Sequence, residues 1–305
     1  MGYTCKKNQL THCHAGTLRY LGNEGHWGDS SQQRPWEDGS YTLDNHKRRL
    51  LAAYELLQKL GIKYYSLSDM DLWGPCDSWE ESQRCSEEMV TLAAELQRQT
   101  QVKPLFFSAD LFSHPRYAQG AAASPDAHVF AFAAAQVKRA MDAAKRLGAE
   151  NFVFFNPRDG YSSGVWRSLF RDVSHMAQLY RMAAHYRDKI GFRGQLLIQP
   201  RGAALGARAP YEPDAHATMF MLRHFGLEKH YKLYVKPASS RPQGRPFEHD
   251  VCVAAAYNML GAVDAAEAWT DAAMDVAPYD VRDATIVMKS FLDQVTFALR
   301  AANVT

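Results

Sequence analysis

The side chain that draws attention first is Gln199, which follows the short apolar run Leu196-Leu197-Ile198. A continuous apolar run that ends at a polar residue is typical of a fully buried parallel strand. Such strands present their functional side chains at the carboxyl end, where α/β barrels keep their chemistry. A hard divalent cation there would require a charged oxygen ligand, whereas this strand supplies a neutral amide.

Two other sets of side chains have types that could do chemistry. Asp69 and Asp71 form a carboxylate pair after another predicted strand, but alternate residues at a strand end point to opposite faces, which argues against a shared acid/base role. A zinc site near the N-terminus is the other candidate, with Cys5, His12, Cys13 and His14 as ligands. Adjacent ligands lack the loop spacing needed to surround one ion, so we interpret residues 1–15 as a polar arm.

Composition restricts the class of protein. With 305 residues and 47% hydrophobic content, the chain is long enough for one large α/β domain. A net charge of +2 does not indicate binding to nucleic acid. No apolar run approaches the roughly 18 residues of a membrane span. The five cysteines are odd in number and widely spaced, which predicts an intracellular, reducing compartment, with cytoplasm and mitochondrion both left open.

From residue 16 onward, strand-like and helix-like segments alternate. Eight strands are predicted, at residues 17–22, 63–67, 104–107, 152–155, 196–198, 233–235, 262–263 and 295–299. The alternation predicts that residues 16–305 form a single (β/α)8 TIM-barrel domain. An open, doubly wound sheet is the structural alternative, although no glycine-rich phosphate-binding turn supports it.

Two outer helices of this barrel are expected to be reduced or missing. Residues 23–41 are rich in Gly, Ser, Gln, Pro and Asp, which disfavour a helix, and no helix is predicted after the strand at 295–299. The first and eighth strands of a closed barrel are neighbours, so both gaps fall on one flank. Uncovered apolar strand surface usually marks an interface, so we expect this flank to contact other protein subunits. The alternative is that residues 1–15 or 23–41 cover it.

Many runs along the chain resemble xylose isomerase. They include Leu111-Phe112-Ser113-His114-Pro115-Arg116-Tyr117, Gly194-Gln195-Leu196-Leu197-Ile198 and Gly261-Ala262-Val263-Asp264-Ala265, with further matches at residues 34–36, 120–125, 129–137, 150–154, 160–161, 190–192, 225–227 and 247–249. They occur in the order of the family and span nearly the whole chain. The resemblance implies a (β/α)8 barrel, usually dimeric or tetrameric, that interconverts aldose and ketose sugars with two divalent cations.

The resemblance also implies which side chains would bind the metals, and most of them differ here. The positions that correspond to the metal ligands are Gln199, Lys236, Ser239, Asp264, Asp275, Ala277 and Arg300. Of these, only Asp264 and Asp275 keep a carboxylate. Protonated Lys and Arg side chains have no lone pair to give a cation. From this pattern we expect no metal cofactor, and we predict that Lys236 and Arg300 pair with Asp264 and Asp275 in place of the ions.

The positions that the resemblance assigns to sugar binding and ring opening have changed as well. Ser68 stands where the family has a histidine that assists ring opening, and Arg201 replaces a lysine that binds a sugar oxygen. Asp71 belongs to the same strand-end motif as Ser68. Phe106 and Phe155 replace the tryptophans that wall the sugar pocket. A serine cannot transfer protons near neutral pH as an imidazole does, so we expect no catalytic residues at these positions.

These substitutions lead to the expectation of a pseudoenzyme. In this interpretation the barrel is a structural or scaffolding accessory subunit of a larger, possibly mitochondrial, protein complex. The alternative is a divergent sugar isomerase or epimerase with altered metal dependence, in which Asp264, Asp275 and Lys236 would carry protons. A carbohydrate-binding protein without chemistry is the third interpretation.

Overall fold

The computed structural model describes most of the chain after residue 34. The described residues are 35–36, 38–74, 78–201, 209–236, 244–246, 248–263, 267–268, 275–276 and 281–303, and side chains are described at all of them except 267–268, 275–276, 283 and 297–303. The predicted first strand at 17–22 and the arm at 1–15 lie outside these residues. The division into an arm and one domain stays a prediction.

One parallel sheet organises the described residues. Its strands, in the order in which they lie side by side, are β1 (Tyr64–Ser68), β2 (Lys103–Ser108), β3 (Asn151–Phe154), β5 (Gln195–Ile198), β7 (Tyr231–Val235) and β8 (Leu260–Val263). Every neighbouring pair runs parallel. Two short antiparallel pairs join β4 (Gly160–Tyr161) to β6 (Ala209–Pro210) and β9 (Glu267–Ala268) to β10 (Asp275–Val276). The six predicted strands from 63–67 to 262–263 are therefore confirmed.

Helices alternate with these strands. They are α1 (Leu43–Lys59), α2 (Asp69–Leu72), α3 (Trp79–Thr100), α4 (Ala127–Leu147), α5 (Leu169–Ile190), α6 (Ala215–His224), α7 (His249–Ala256) and α8 (Val281–Asn303), with a 3-10 helix at Pro115–Gln119. Their ends follow ordinary capping chemistry. In α4, for example, Asp126 accepts a hydrogen bond from the amide of His128, and Gly148 ends the helix with a left-handed φ of 68°.

The predicted eighth strand at 295–299 is wrong, because these residues belong to α8. The β-branched and aromatic residues of this stretch favour a strand on propensity alone. The buried positions Val287, Ser290 and Gln294 nevertheless follow helical spacing, and α8 packs against α7 and β8. Packing of this face outweighs local propensity. The predicted loss of the last outer helix is not confirmed, and residues 23–41 lie mostly outside the described ones.

The two faces of the sheet have different surroundings. One face carries the main hydrophobic core, where side chains such as Phe107, Phe152 and Leu196 pack against the helices. The other face carries a separate small cluster, hereafter the inner cluster, formed by Phe106, Val153, Leu197 and Tyr234. Six of the described strands thus form a parallel α/β sheet with helices packed on one face, and a complete eight-stranded barrel stays a prediction. None of the described helices has the length and apolar character needed to cross a membrane.

Candidate functional site at the carboxyl ends of the strands

The alternation of side chains along β5 places Gln199. Leu196 and Ile198 lie in the main core, whereas Leu197 lies in the inner cluster. Because successive strand residues point to opposite faces, Gln199 falls on the side of the inner cluster, immediately past the carboxyl end of β5. The backbone N–H of Gln199 donates a hydrogen bond to the carbonyl oxygen of Phe154 at 3.0 Å, so the backbone of Gln199 still pairs with the neighbouring strand β3. Gln199 is half-buried.

The two aromatic residues at the implied sugar-pocket positions lie on neighbouring strands. Phe106 of β2 is buried in the inner cluster, where its ring stacks on that of Tyr234 with centroids 4.9 Å apart and planes 25° apart. Phe155 directly follows β3 and is half-buried. Its ring packs edge to face against that of Phe112, with the ring centroids 5.5 Å apart. Tyr234 therefore already occupies one face of Phe106, and Phe155 retains more contact with solvent.

Ser68 and Asp71 form a helix cap. The hydroxyl of Ser68 accepts a hydrogen bond from the Asp71 amide at 3.2 Å, and the Asp71 carboxylate accepts from the Ser68 amide at 2.8 Å. This reciprocal pair is a capping box that begins α2. The sequence argument that placed Asp69 and Asp71 on opposite faces of a strand end is wrong, because both residues belong to α2.

Asp69 is buried at the start of α2 and connects it to the loop after β2 and to α4. Its carboxylate accepts hydrogen bonds from the amides of Met70 and Asp110 at 2.8 Å and from the side-chain amide of Gln136 at 2.7 Å. Burial raises the pKa of Asp69 to about 6, although these donors oppose the rise. The hydroxyl of Tyr117 donates a hydrogen bond to the side-chain oxygen of Gln136 at 2.6 Å. The network joins the ends of β1 and β2 to α4.

Arg201 and Lys236 both lie at strand ends and are half-buried. The amide of Arg201 donates to the carbonyl oxygen of Glu212 at 2.8 Å, and its guanidinium donates to the carbonyl oxygen of Pro157. Lys236 directly follows β7. The structure thus brings Gln199, Arg201 and Lys236 to the same edge of the sheet.

Several predicted positions lie outside the described side chains. Ser239, Asp264 and Ala277 are outside the described residues altogether. The backbone of Asp275 belongs to β10, which pairs with β9. Arg300 belongs to α8, so its predicted place at the end of an eighth strand is wrong. The proposed ion pairs of Lys236 and Arg300 with Asp264 and Asp275 stay a prediction.

Asp159 is a buried carboxylate that the sequence argument did not single out. Its two oxygens accept hydrogen bonds from three consecutive amides, those of Ala121, Ala122 and Ala123, at 2.9 to 3.1 Å. Burial raises the pKa of Asp159 to about 6, against the effect of these three donors. The carboxylate therefore links the loop after β3 to the loop after β2.

Glu212 is the second buried carboxylate at this edge. The hydroxyl of Tyr180 donates to it at 2.8 Å and itself accepts from the side-chain amide of Asn156 at 2.8 Å. Burial raises the pKa of Glu212 to about 8, the Tyr180 hydrogen bond lowers it, and the charge of Asp159 raises it further. The side-chain oxygen of Asn156 is buried and accepts no hydrogen bond from the residues that the structure describes. Glu212 is therefore largely protonated at neutral pH.

No periodic pattern could have revealed these two carboxylates. Asp159 lies in a short Pro-Arg-Asp-Gly turn and Glu212 in a Pro-Tyr-Glu-Pro segment, both of which have the composition of exposed loops. Asp159 lies shortly after the predicted strand at 152–155, and Glu212 had no such signal. Only the packing of the loops shows that both are buried.

The described residues do not by themselves fit a divalent cation. Among them, no three His, Cys, Asp or Glu residues are close enough together to hold a metal ion. Of the positions matched to family ligands, the described side chains are those of Gln199 and Lys236. An amide offers one neutral oxygen, and a protonated ammonium offers no lone pair. The other matched positions are undescribed, so no chemical step is assigned to a metal here.

Comparison with known proteins reveals close relatives by sequence. The xylose isomerase of Arabidopsis thaliana is 37% identical over 278 residues, which cover 90% of this chain and 58% of that protein. The xylose isomerase of Hordeum vulgare is 35% identical over 276 residues, covering 90% and 57%. That of Enterococcus faecalis is 34% identical, covering 88% and 61%. The chain thus spans less than two thirds of these relatives. No protein-family model matches it.

Solved structures support the fold. The D-allulose 3-epimerase of Methylomonas sp. in complex with D-allulose superposes with a TM-score of 0.56 at 12% identity, over 83% of this chain and 70% of that chain. The 3-keto-D-glucoside 4-epimerase of E. coli gives a TM-score of 0.54 at 11% identity, over 81% and 94%. At such low identity these similarities establish the fold alone. They confirm an α/β fold of the xylose isomerase type.

Two expectations are corrected by these relatives. The expectation that the chain is not an enzyme is wrong, because the proteins that match it over about nine tenths of its length are named as enzymes. The expectation of no metal cofactor is wrong as well, because the relatives are members of the family for which the resemblance implied two divalent cations. The resemblance itself is confirmed: this chain is homologous to the xylose isomerases over about nine tenths of its own length and about three fifths of theirs.

Proposed function

We propose that the chain is a sugar isomerase or epimerase whose dependence on divalent cations differs from that of xylose isomerases. The observation that carries the proposal is the 37% identity to a xylose isomerase over 278 residues. The matched runs include the ends of the parallel strands, where enzymes of this architecture hold their substrates. The altered metal dependence follows from Gln199 and Lys236, which replace carboxylates at two matched positions.

The edge of the sheet offers groups suited to a polyhydroxylated substrate. Phe155 presents a half-buried aromatic ring, Gln199 can both donate and accept hydrogen bonds, and Lys236 can donate. Aromatic rings pack against the apolar faces of sugars, while amides and ammonium groups bind the hydroxyl oxygens. In this proposal Asp264, Asp275 and Lys236 carry the protons that move between neighbouring sugar carbons.

The test is turnover of sugars by the purified full-length chain. D-Xylose, D-glucose, D-fructose and D-allulose would each be incubated in deuterated water with added Mg²⁺, Mn²⁺ or Co²⁺. Proton NMR would then report both product formation and exchange of the carbon-bound protons. We expect turnover of at least one sugar, with a requirement for higher metal concentrations than a full carboxylate site needs. If no sugar is converted and no proton is exchanged with any of the three metals, the proposal is wrong.

A matched pair of variants tests the altered metal dependence. Gln199→Glu restores a carboxylate at the carboxyl end of β5, whereas Gln195→Glu places one at the opposite end of the same strand. We expect Gln199→Glu to lower the metal concentration for half-maximal binding by about tenfold or more, since each tenfold is about 1.4 kcal/mol of extra ion attraction. Gln195→Glu should leave it unchanged. Isothermal titration calorimetry measures both, and equal affinities in the two variants would contradict the assignment of Gln199.

We also propose that the chain works in a reducing compartment. Its cysteines are odd in number, and both cysteines that the structure describes, Cys85 and Cys252, are free thiols. Thiol labelling of the denatured protein, purified without reductant after rapid alkylation in cells, should therefore give five reactive groups. A protected pair would contradict this proposal.

A further inference from the structure

A buried chain of three polar side chains connects the loop after β3 to the segment before α6, with Tyr180 of α5 at its centre. The side-chain amide of Asn156 donates a hydrogen bond to the Tyr180 hydroxyl at 2.8 Å, and this hydroxyl donates to the Glu212 carboxyl group at 2.8 Å. Burial and the charge of Glu212 raise the pKa of Tyr180 well above its usual range, so the hydroxyl keeps its proton and remains a donor. We call these three residues the Tyr180 bridge.

Each end of this bridge is attached to backbone beside a side chain that the proposed function gives to the substrate. Asn156 directly follows Phe155. The carbonyl oxygen of Glu212 accepts a hydrogen bond from the backbone N–H of Arg201 at 2.8 Å, two residues after Gln199. One hydroxyl group therefore joins the backbone next to Phe155 to the backbone next to Gln199.

The described residues give the two ends of the bridge no second side-chain hydrogen bond. The side-chain oxygen of Asn156 is buried and accepts none from them, and the Tyr180 hydroxyl is the donor that they offer to the Glu212 carboxyl group. A buried polar group that loses its partner is costly, because water does not replace the lost hydrogen bond. Without the hydroxyl, both segments would have to move until another group or a water molecule satisfied these side chains.

Tyr180 lies on the side of the sheet opposite to the proposed substrate groups. It is completely buried in the main core, where its ring packs edge to face against that of Phe154 with centroids 5.3 Å apart. Gln199, by contrast, falls on the side of the inner cluster. Tyr180 therefore does not reach a substrate, and its hydroxyl acts through the two backbone segments.

We propose that Tyr180 is a positioning residue of the sugar site, because its hydroxyl fixes the backbone segments beside Phe155 and Gln199 relative to each other. This inference rests on the proposed function, in which the Phe155 ring packs against a sugar and the Gln199 amide binds its hydroxyl groups. A sugar held between two such groups is bound well only when their separation is fixed, and a displacement of about 1 Å is enough to weaken the contact. The hydroxyl supplies that fixed separation.

Tyr180→Phe removes the hydroxyl and keeps the ring, and Tyr231→Phe is its matched control. Tyr231 is also fully buried, and its ring centroid lies 5.4 Å from that of Tyr180. Its hydroxyl donates to the carbonyl oxygen of Tyr180 at 2.7 Å and does not connect the two segments. Each variant loses one buried hydroxyl group, so a general loss of stability should appear in both, and circular dichroism verifies that both fold.

Hydrogen exchange, followed by NMR of the full-length protein, tests the hold on the backbone without any substrate. The N–H groups of Arg201 and Tyr211 report on the segment before α6, and that of Leu197 reports on the sheet. We expect the two reporters of the segment to exchange, relative to Leu197, at least about tenfold faster in Tyr180→Phe than in the parent. One buried hydrogen bond corresponds to roughly a tenfold change in the equilibrium of local opening. Tyr231→Phe should match the parent.

Kinetics with the sugars that the parent converts separate positioning from stability. A merely structural loss reduces the amount of folded enzyme, which lowers the apparent kcat and leaves KM unchanged. Phe155 and Gln199 are proposed to bind the sugar rather than to transfer its protons. We therefore expect Tyr180→Phe to raise KM at least about fivefold while kcat changes by less than about twofold, and Tyr231→Phe to keep the KM of the parent.

The inference is overturned if the two reporters exchange equally fast in the parent and in Tyr180→Phe, or if the KM of a converted sugar is the same in both proteins. It is also overturned if Tyr231→Phe produces the same changes as Tyr180→Phe. A parent that converts no sugar refutes the proposed function and this inference with it. Conversion by the parent with an unchanged KM in Tyr180→Phe refutes the inference alone.

Discussion

Glu212 makes the stability of this protein depend on pH in a direction opposite to that of an ordinary surface carboxylate. Burial raises its pKa from 4.5 to about 8. Between these two values the folded protein binds a proton that the unfolded chain releases. Stability therefore falls as the pH rises through this range and becomes constant above it. Glu212→Gln removes the titrating group while keeping a side-chain oxygen that can accept from Tyr180.

The size of the effect follows from the same pKa. Each pKa unit corresponds to about 1.4 kcal/mol, so a rise from 4.5 to about 8 amounts to roughly 5 kcal/mol over the whole range. Part of this loss occurs below pH 5, and about half of the Glu212 side chains are still protonated at pH 8. The parent should therefore lose about 3 to 4 kcal/mol, relative to the glutamine variant, between about pH 5 and about pH 8.

Urea denaturation at several pH values measures this difference. The comparison with Glu212→Gln reports on Glu212 together with its repulsion by Asp159, which is present in both proteins and whose pKa is raised to about 6. We expect the variant to be more stable than the parent at pH 8 and to approach it at pH 5. If the free energies of unfolding of the two proteins change in parallel between these pH values, Glu212 does not titrate as a buried acid, and the reasoning is refuted.

Three further predictions concern local structure. Ser68→Ala removes the capping box of α2 and should lower the free energy of unfolding by about 1 kcal/mol in urea denaturation; an unchanged midpoint would contradict that role. Gly120→Ala should cost at least about 2 kcal/mol more than Gly148→Ala. Both glycines have positive φ, but a methyl group at Gly120 would collide with the Asp159 carboxylate, whereas the space around Gly148 is open; equal losses in the two variants would argue against the collision. Burial raises the pKa of Asp172, but hydrogen bonds from Tyr211 and Arg167 outweigh burial and hold it below its usual value. Asp172→Asn should therefore destabilise the protein at neutral pH, and the difference should shrink as the pH falls below the ordinary range of a carboxyl group. A difference that stays the same in thermal denaturation at neutral and at acidic pH would contradict this expectation.

The helices and parallel strands could be predicted where apolar periodicity was strong. Strand β5 was predicted at 196–198 and is observed at Gln195–Ile198, because a continuous apolar run ends there at Gln199. The failure at residues 295–299 has a definite cause. Val295, Thr296 and Phe297 favour a strand locally, but the face of α8 that includes Val287 and Gln294 is buried against neighbouring elements. A contact made by residues distant in sequence leaves no trace in a short window of the chain.

The sequence by itself determined the order of the six strands of the parallel sheet, the relation to the xylose isomerases and the residue types of Gln199 and Lys236 just after β5 and β7. Those features depend on residue types and their spacing along the chain. The tertiary structure alone decided that Asp159 and Glu212 are buried, and that Ser68 and Asp71 cap a helix. A pKa and a hydrogen bond depend on which groups lie nearby in space, and the loops that surround these side chains come from distant parts of the chain.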